Sequence, residues 1–336
     1  ALSVATLLPL VGSTVAARGP DPAAARAAAD HARIVAHWTP ERMKAAVPRD
    51  FAKDPATGRY HLVPMAKPGG GGSGGNTTGA SWPNGKGKVY KATGKVYFEM
   101  GGGAWVCSGT SLSDGNRANF SLVITAGHCV YDEENGAGKL SGFATNWLFI
   151  PQFDSNPTFT CANTAFGCWT ATALVVNRGF ATAGGFNDQA THYDWGFAVV
   201  GGGGKTSGAN LQLDATVGTF GYQASAMSAN TVVDAFGYPA AQKYKGNDLV
   251  YCQGPIGFDS LNANTTYKLP CGMTGGSSGG PWFSGFNAST GDAGTIQSLN
   301  SYGYSGQSNM YGPKFNGDTS ATYNAATSAT SNTIVN

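Results

Sequence analysis

Phe120-Ser121-Leu122-Val123-Ile124-Thr125-Ala126-Gly127-His128-Cys129 opens as a short apolar, β-branched run and closes on an imidazole. Residues of this kind fit a pleated, half-buried strand, so His128 stands at a strand end beside a cysteine that can anchor it. An imidazole held there suits a general base, because its unperturbed pKa lies near neutrality and it can take up a proton and return it. Working outward, the same texture recurs. Val96-Tyr97-Phe98, Trp105-Val106-Cys107, Leu174-Val175-Val176 and residues 196–200, 231–237 and 295–299 are short apolar or alternating runs, punctuated by glycine clusters at 101–103 and 201–204. With 50 Gly and only 12% charged residues in 336, the pattern predicts an all-β, turn-rich protein, long enough for two packed β units.

The second decisive stretch is Gly275-Gly276-Ser277-Ser278-Gly279-Gly280-Pro281-Trp282. Glycines around a serine let backbone N–H groups turn toward a reacting carbonyl oxygen. An unassisted hydroxyl is a weak nucleophile, so Ser278 needs both a base and such donors. The bland reading is one more Gly/Ser-rich turn in a chain full of them.

The N-terminal part differs from the rest. Residues 1–17 read as an apolar signal core ending in small residues, shorter than the roughly 20 needed to span a bilayer. Residues 20–47 are rich in Ala and Arg, and Thr39-Pro40 reads as an N-cap with proline in the first turn, so this is helical territory closed by Pro48. Residues 69–75 form a nearly pure Gly/Ser run, a flexible linker by composition. We therefore expect a signal remnant at 1–17, a propeptide and linker at 18–78 and the main domain at 79–336; a small helical domain that stays attached is the alternative.

A net charge of +2 gives no basic surplus for nucleic acid. Six cysteines stand at 107, 129, 161, 168, 252 and 271 without close metal-ligand spacing, which favours disulfides in an exported chain over a metal site. Fifteen pairings are possible, and order along the chain suggests 107 with 129, 161 with 168 and 252 with 271. Asn76, Asn119, Asn264 and Asn287 are formal glycosylation sequons.

Taken together and in this order, Thr125-Ala126-Gly127-His128-Cys129 and Gly276-Ser277-Ser278-Gly279-Gly280-Pro281 resemble the two signature blocks of the chymotrypsin-like serine peptidases. Cys107-Ser108-Gly109-Thr110-Ser111-Leu112 looks like the strand before the family's histidine block, whose cysteine pairs with the one after the histidine. The resemblance spans roughly 95–315, and Gly237-Tyr238-Pro239 with the Gly-Ser-Ser-Gly-Gly-Pro form is most similar to bacterial secreted peptidases of the glutamyl-endopeptidase type. It implies two six-stranded antiparallel β-barrels, at about 86–205 and 206–320, with the active site in the cleft between them.

The family's acid lies in a strand that Tyr193-Asp194-Trp195-Gly196-Phe197 fits, so Asp194 is assigned the role of orienting His128; Asp188 and Asp214 are nearby rivals, and His192 is read as surface or supporting. By the same carry-over, the N–H groups of Gly276 and Ser278 form the oxyanion hole, and Ser301-Tyr302-Gly303 pairs with substrate backbone as an added strand. One departure is Ser277, where the family often has an Asp that receives a freshly cut N-terminal ammonium. Cys161 and Cys168 suggest an inserted, disulfide-closed loop.

The resemblance implies a secreted, monomeric serine endopeptidase that takes a polypeptide substrate, with no cofactor, metal or nucleic acid, and no membrane in its mature form. An inactive protease-fold binding module and an esterase are the rival classes. An α/β-hydrolase would need a histidine after Ser278, and none is present there. The trypsin-like pocket carboxylate is replaced by Lys268-Leu269-Pro270-Cys271-Gly272, and no histidine lies beyond His192. With Gly303 and Gly312 leaving room, an uncharged, apolar or aromatic side chain is expected on the acyl side of the cut bond, unless Lys268 or Asp259 reaches the pocket.

Overall fold

The computed structural model describes residues 22–63, 79–154, 160–206, 208–240 and 244–336. The signal segment at 1–17, the run at 69–75 and Asn76 lie outside the described residues.

The strands Thr93–Met100, Gly103–Leu112, Ser121–Thr125, Thr145–Pro151, Trp169–Asn177 and Gly196–Val200 form one antiparallel sheet. It closes on itself because Gly103–Leu112 pairs with both Thr93–Met100 and Ser121–Thr125. Closure covers much of the strand edge, though residues 103–109 of that strand have no partner in Ser121–Thr125. Residues of the runs read as strands are buried: Val96, Leu122, Ile124, Val175 and Phe197. The second half lies in two sheets, each brought to six strands by short N-terminal strands, Ala80–Ser81 in one and Phe51–Lys53 with Tyr60–Leu62 in the other. One carries Val232–Gly237, Val250–Pro255, Pro281–Ser284 and Thr295–Leu299; the other carries Thr266–Pro270, Tyr302–Tyr304 and Asn309–Pro313. Their shared core holds Val233, Ile256, Tyr267, Leu269 and Trp282. The all-β, two-barrel architecture expected from the sequence is the one observed.

The N-terminal helices Pro22–His37 and Pro40–Ala45 are present, and the Thr39 hydroxyl accepts the Arg42 N–H as an N-cap. Ile34, Trp38 and Met43 bury against the first barrel, and the Trp38 indole donates to the Asn146 carbonyl at 2.6 Å. Beyond these helices the segment does something the sequence did not announce. Val47–Pro48 pairs in parallel with Trp105 and Val106, and Phe51–Lys53 pairs in parallel with Tyr302–Tyr304. Tyr60–Leu62 then folds back antiparallel on Phe51–Lys53, around a turn in which Asp54 accepts the N–H groups of Ala56 and Thr57. Strands of two or three residues have too little periodicity to read, and their partners lie far along the chain.

The cysteines pair as Cys107–Cys129, Cys161–Cys168 and Cys252–Cys271, and none is free. The first of these ties the strand Gly103–Leu112 to the turn after His128.

Candidate active site

His128 sits in a single turn, Gly127–Cys129, at the end of Ser121–Thr125, and Asp194 lies just before the neighbouring strand Gly196–Val200. Antiparallel pairing of those strands puts Gly196 opposite Thr125, which carries two side chains 66 residues apart to one barrel end. Asp194 Oδ2 lies 2.8 Å from His128 Nδ1, and its Oδ1 accepts the His128 backbone N–H at 2.9 Å. The Ser301 hydroxyl also donates to Oδ2 at 2.5 Å. Both residues are fully buried, so the carboxylate fixes the ring and its tautomer out of water. Trp195 steadies the segment by donating to the Thr322 hydroxyl at 3.2 Å.

Ser278 stands in a loop held at almost every backbone group. Its carbonyl accepts the Ser108 N–H at 2.7 Å, the Ser108 hydroxyl donates to the Gly276 carbonyl at 2.8 Å, and the Asn300 amide donates to the Ser277 and Phe236 carbonyls. Gly276 has φ +96°, and a Cβ there would meet the Tyr238 carbonyl at 2.7 Å; Gly279, at φ +81°, would drive one to 2.2 Å from the Thr125 hydroxyl. The glycines that flag this loop in the sequence are thus required by left-handed backbone and close approach.

The side chain that meets Ser278 comes from the N-terminal segment. The Ser278 hydroxyl donates to Asp50 Oδ1 at 2.5 Å, and the Gly276 N–H donates to Asp50 Oδ2 at 2.6 Å. His128 Nε2 is buried and makes no hydrogen bond among the described residues. Burial pushes the Asp50 carboxyl above its usual range, while the Ser278 hydroxyl, the His128 charge and the Gly276 N–H pull it back. Next to it, Arg49 donates to the His128 carbonyl at 2.7 Å and grips the buried Glu133 carboxylate at 3.1 Å. Phe51 stacks on Phe186 with ring centroids 4.0 Å apart and meets the His128 ring edge-on at 5.5 Å.

The structure therefore brings His128, Asp194, Ser278, Gly276 and Ser301 into one cluster. The rivals fall elsewhere: Asp188 pairs with Lys53 at 2.6 Å, and Asp214 accepts the Ser121 hydroxyl. His192 ends the helix Asp188–His192 and packs edge-on against Tyr193. Ser277 is buried, and its hydroxyl has no partner among the described residues.

Beside Ser278, a cavity of about 420 Å³ is walled by residues 271–275 and 302–310 together with Asp50, Phe51, Ala52 and Val63. Tyr302 and Gly303 line it, while Gly312 does not and instead packs against the Leu299 carbonyl. Lys268 lies in the strand Thr266–Pro270, outside the lining. Asp259 is buried behind the wall, accepting the hydroxyls of Tyr302 at 2.6 Å and Tyr304 at 2.9 Å. Sequence reasoning missed Asp50, Arg49, Glu133, Phe186 and Asn300. Pro48-Arg49-Asp50 carries no motif, and nothing in its composition points to a partner 228 positions away.

No family model matches the sequence, and no curated protein matches it either. Solved structures do. The protease Anisep from Arthrobacter nicotinovorans is 37% identical, with TM-score 0.57, over 71% of this chain and 96% of that one. A thermostable serine protease, AL20, from an extremophilic microorganism is 32% identical, with TM-score 0.57, over 72% of this chain and 99% of its own. A Glu endopeptidase crystallised with MPD shares the fold at 18% identity and TM-score 0.54, over 80% of this chain and 100% of that chain. A relative more than a third identical and matched over nearly its whole length, on the same two-barrel fold, places this chain among the chymotrypsin-like serine endopeptidases.

Proposed function

We propose that the protein is a secreted precursor whose processed form cleaves polypeptides through an acyl-enzyme on Ser278. The observation that carries this reading is the Asp194–His128 hydrogen bond, buried in the cleft beside a serine whose loop is pinned at each end. In the processed enzyme Ser278 Oγ bonds to the substrate carbonyl carbon while His128 Nε2 takes the hydroxyl proton. Asp194 accepts from Nδ1 and stabilises the imidazolium, and the N–H groups of Gly276 and Ser278 meet the oxyanion. Collapse breaks the C–N bond, and the amine leaves with the proton from His128. Water then attacks the acyl-enzyme with the same base, restoring Ser278 and releasing the acid.

Supporting the domain reading, residues 79–336 carry this whole apparatus, and residues 18–78 serve as a removable prosegment after the signal remnant at 1–17. The three disulfides suit an oxidising, extracellular setting. The processed form acts as a monomer on peptide substrate, away from membranes and nucleic acid.

Substrate choice is set by the cavity. Among its described lining residues outside the prosegment there is no Asp, Glu, Lys, Arg or His, and Met273, Tyr302, Tyr304 and Met310 give it apolar surface. A charged side chain would be desolvated there without a counter-charge. Initial rates on matched peptides carrying Phe, Leu, Ala, Glu, Lys or Arg on the acyl side are expected to favour Phe and Leu over Glu and Arg by about tenfold or more. Glu or Arg exceeding Phe tenfold would overturn the pocket assignment. Mass-spectrometric mapping of cuts in a mixed peptide library tests the endopeptidase reading itself.

A further inference from the structure

We propose that residues 47–53 are an inhibitory ligand of the active site, with the Asp50 carboxylate occupying the place of the reacting carbonyl and its oxyanion. This rests on the assignment of Ser278 as nucleophile. Three observations converge on it. The carboxylate takes up the Ser278 hydroxyl and the Gly276 N–H together, the two groups a substrate carbonyl would need. The hydroxyl, turned toward Asp50, leaves His128 Nε2 without a partner among the described residues, so the proton path from nucleophile to base is interrupted. The chain around Asp50 is held on both sides, by Val47–Pro48 on the first barrel and by Phe51–Lys53 along Tyr302–Tyr304 in the second half.

The chemistry explains why this contact blocks the site and is not itself cut. Ser278 faces a side-chain carboxylate, not a peptide carbonyl. A carboxylate is a poor electrophile, since one negative charge delocalised over its two oxygens feeds electron density to the carbon. The site nevertheless holds it, because donors arranged for a developing oxyanion offset part of the cost of burying a negative charge in the same place. Phe51 closes the neighbouring space against Phe186 and His128. Arg49 locks the segment through Glu133, a residue of the first barrel. Lys53 does so through Asp188, which also accepts the Tyr60 hydroxyl at 2.7 Å. The fold thus supplies its own ligand for the cleft, and the ligand's key group is a single carboxylate.

The test is the rate at which a fluorophosphonate labels Ser278 in the full chain, its integrity checked by intact mass, compared with the processed chain. The wild-type full chain is expected to label at least about tenfold more slowly than the processed chain, since each charge-assisted hydrogen bond is worth about tenfold or more. Asp50→Ala in the full chain is expected to recover about tenfold or more of that rate without cleavage. Asp50→Asn keeps the volume but turns one acceptor into a donor facing the Ser278 hydroxyl or the Gly276 N–H, and is expected to accelerate labelling too, which covers the case in which the alanine variant misfolds. A full chain that labels as fast as the processed one overturns the proposal, as do folded Asp50 variants no faster than wild type. If the processed chain also fails to label, the nucleophile assignment is itself refuted, and the inhibitory role falls with it.

Discussion

Replacing Ser278 or His128 with Ala in the processed enzyme is expected to lower kcat/KM on a good peptide substrate by roughly 10⁴ or more, with KM little changed, by analogy with measured serine, histidine and aspartate triads. The size reflects the division of labour. In the proposed mechanism Ser278 forms the covalent bond, and His128 moves the proton that makes it possible; either loss then leaves only the donors of the oxyanion hole and the binding strand. Asp194→Asn is expected to act in the same direction, because an amide can hold His128 in the wrong tautomer, and it would also disturb the Ser301 hydroxyl that donates to the same oxygen. Circular dichroism should show these variants folded. A folded Ser278→Ala enzyme that keeps more than about a tenth of wild-type activity would exclude Ser278 as the nucleophile.

Arg49→Met is expected to destabilise the full-length chain by about 3–5 kcal/mol, the usual cost of stranding one member of a buried ion pair. Both partners are buried, the Glu133 side chain being 1% exposed and that of Arg49 8%. The measurement is denaturant unfolding, made in a Ser278→Ala background so that the chain stays whole. Burial pushes the Glu133 carboxyl up while Arg49 pulls it down. Removing Arg49 leaves the upward push, so the folded state then holds the Glu133 proton more tightly than the unfolded state does. For such a group, stability is present at low pH and is lost as pH rises through the folded pKa. The deficit is therefore expected to be largest at neutral pH and to shrink on acidification. Adding Glu133→Gln to Arg49→Met should cost less than the sum of the single changes. A deficit under about 1 kcal/mol at neutral pH, in the range of an exposed pair, would mean that water reaches the pair.

Much of this molecule is legible in its sequence because the signals are local. The run Ser121–Thr125 into Gly127–Cys129 carries a strand and its terminating turn in adjacent residues, and the glycines about Ser278 mark a backbone that only small residues tolerate. Thr39-Pro40 states its own helix start. The pocket is less legible. Gly312 reads as a pocket residue from its place after the nucleophile, yet it faces a neighbouring strand's carbonyl. Lys268 and Asp259 could each set a charge preference, and only the strand register of Thr266–Pro270 and the tyrosine hydroxyls on Asp259 show where those charges go.

By itself, the sequence determined the all-β class, the order of the histidine, acid and serine segments, and the absence of any histidine after Ser278. Those properties rest on periodicity and on residue types a few positions apart, which the chain states wherever it folds. Tertiary structure alone decided that Asp50 sits on Ser278, that Arg49 finds Glu133, and that Phe51 stacks on Phe186. Each of these contacts joins residues 84 to 228 positions apart, through strands of two or three residues. A segment so short has no pattern of its own, because its partner is chosen by the open edge and the buried charge it meets once both β units have formed.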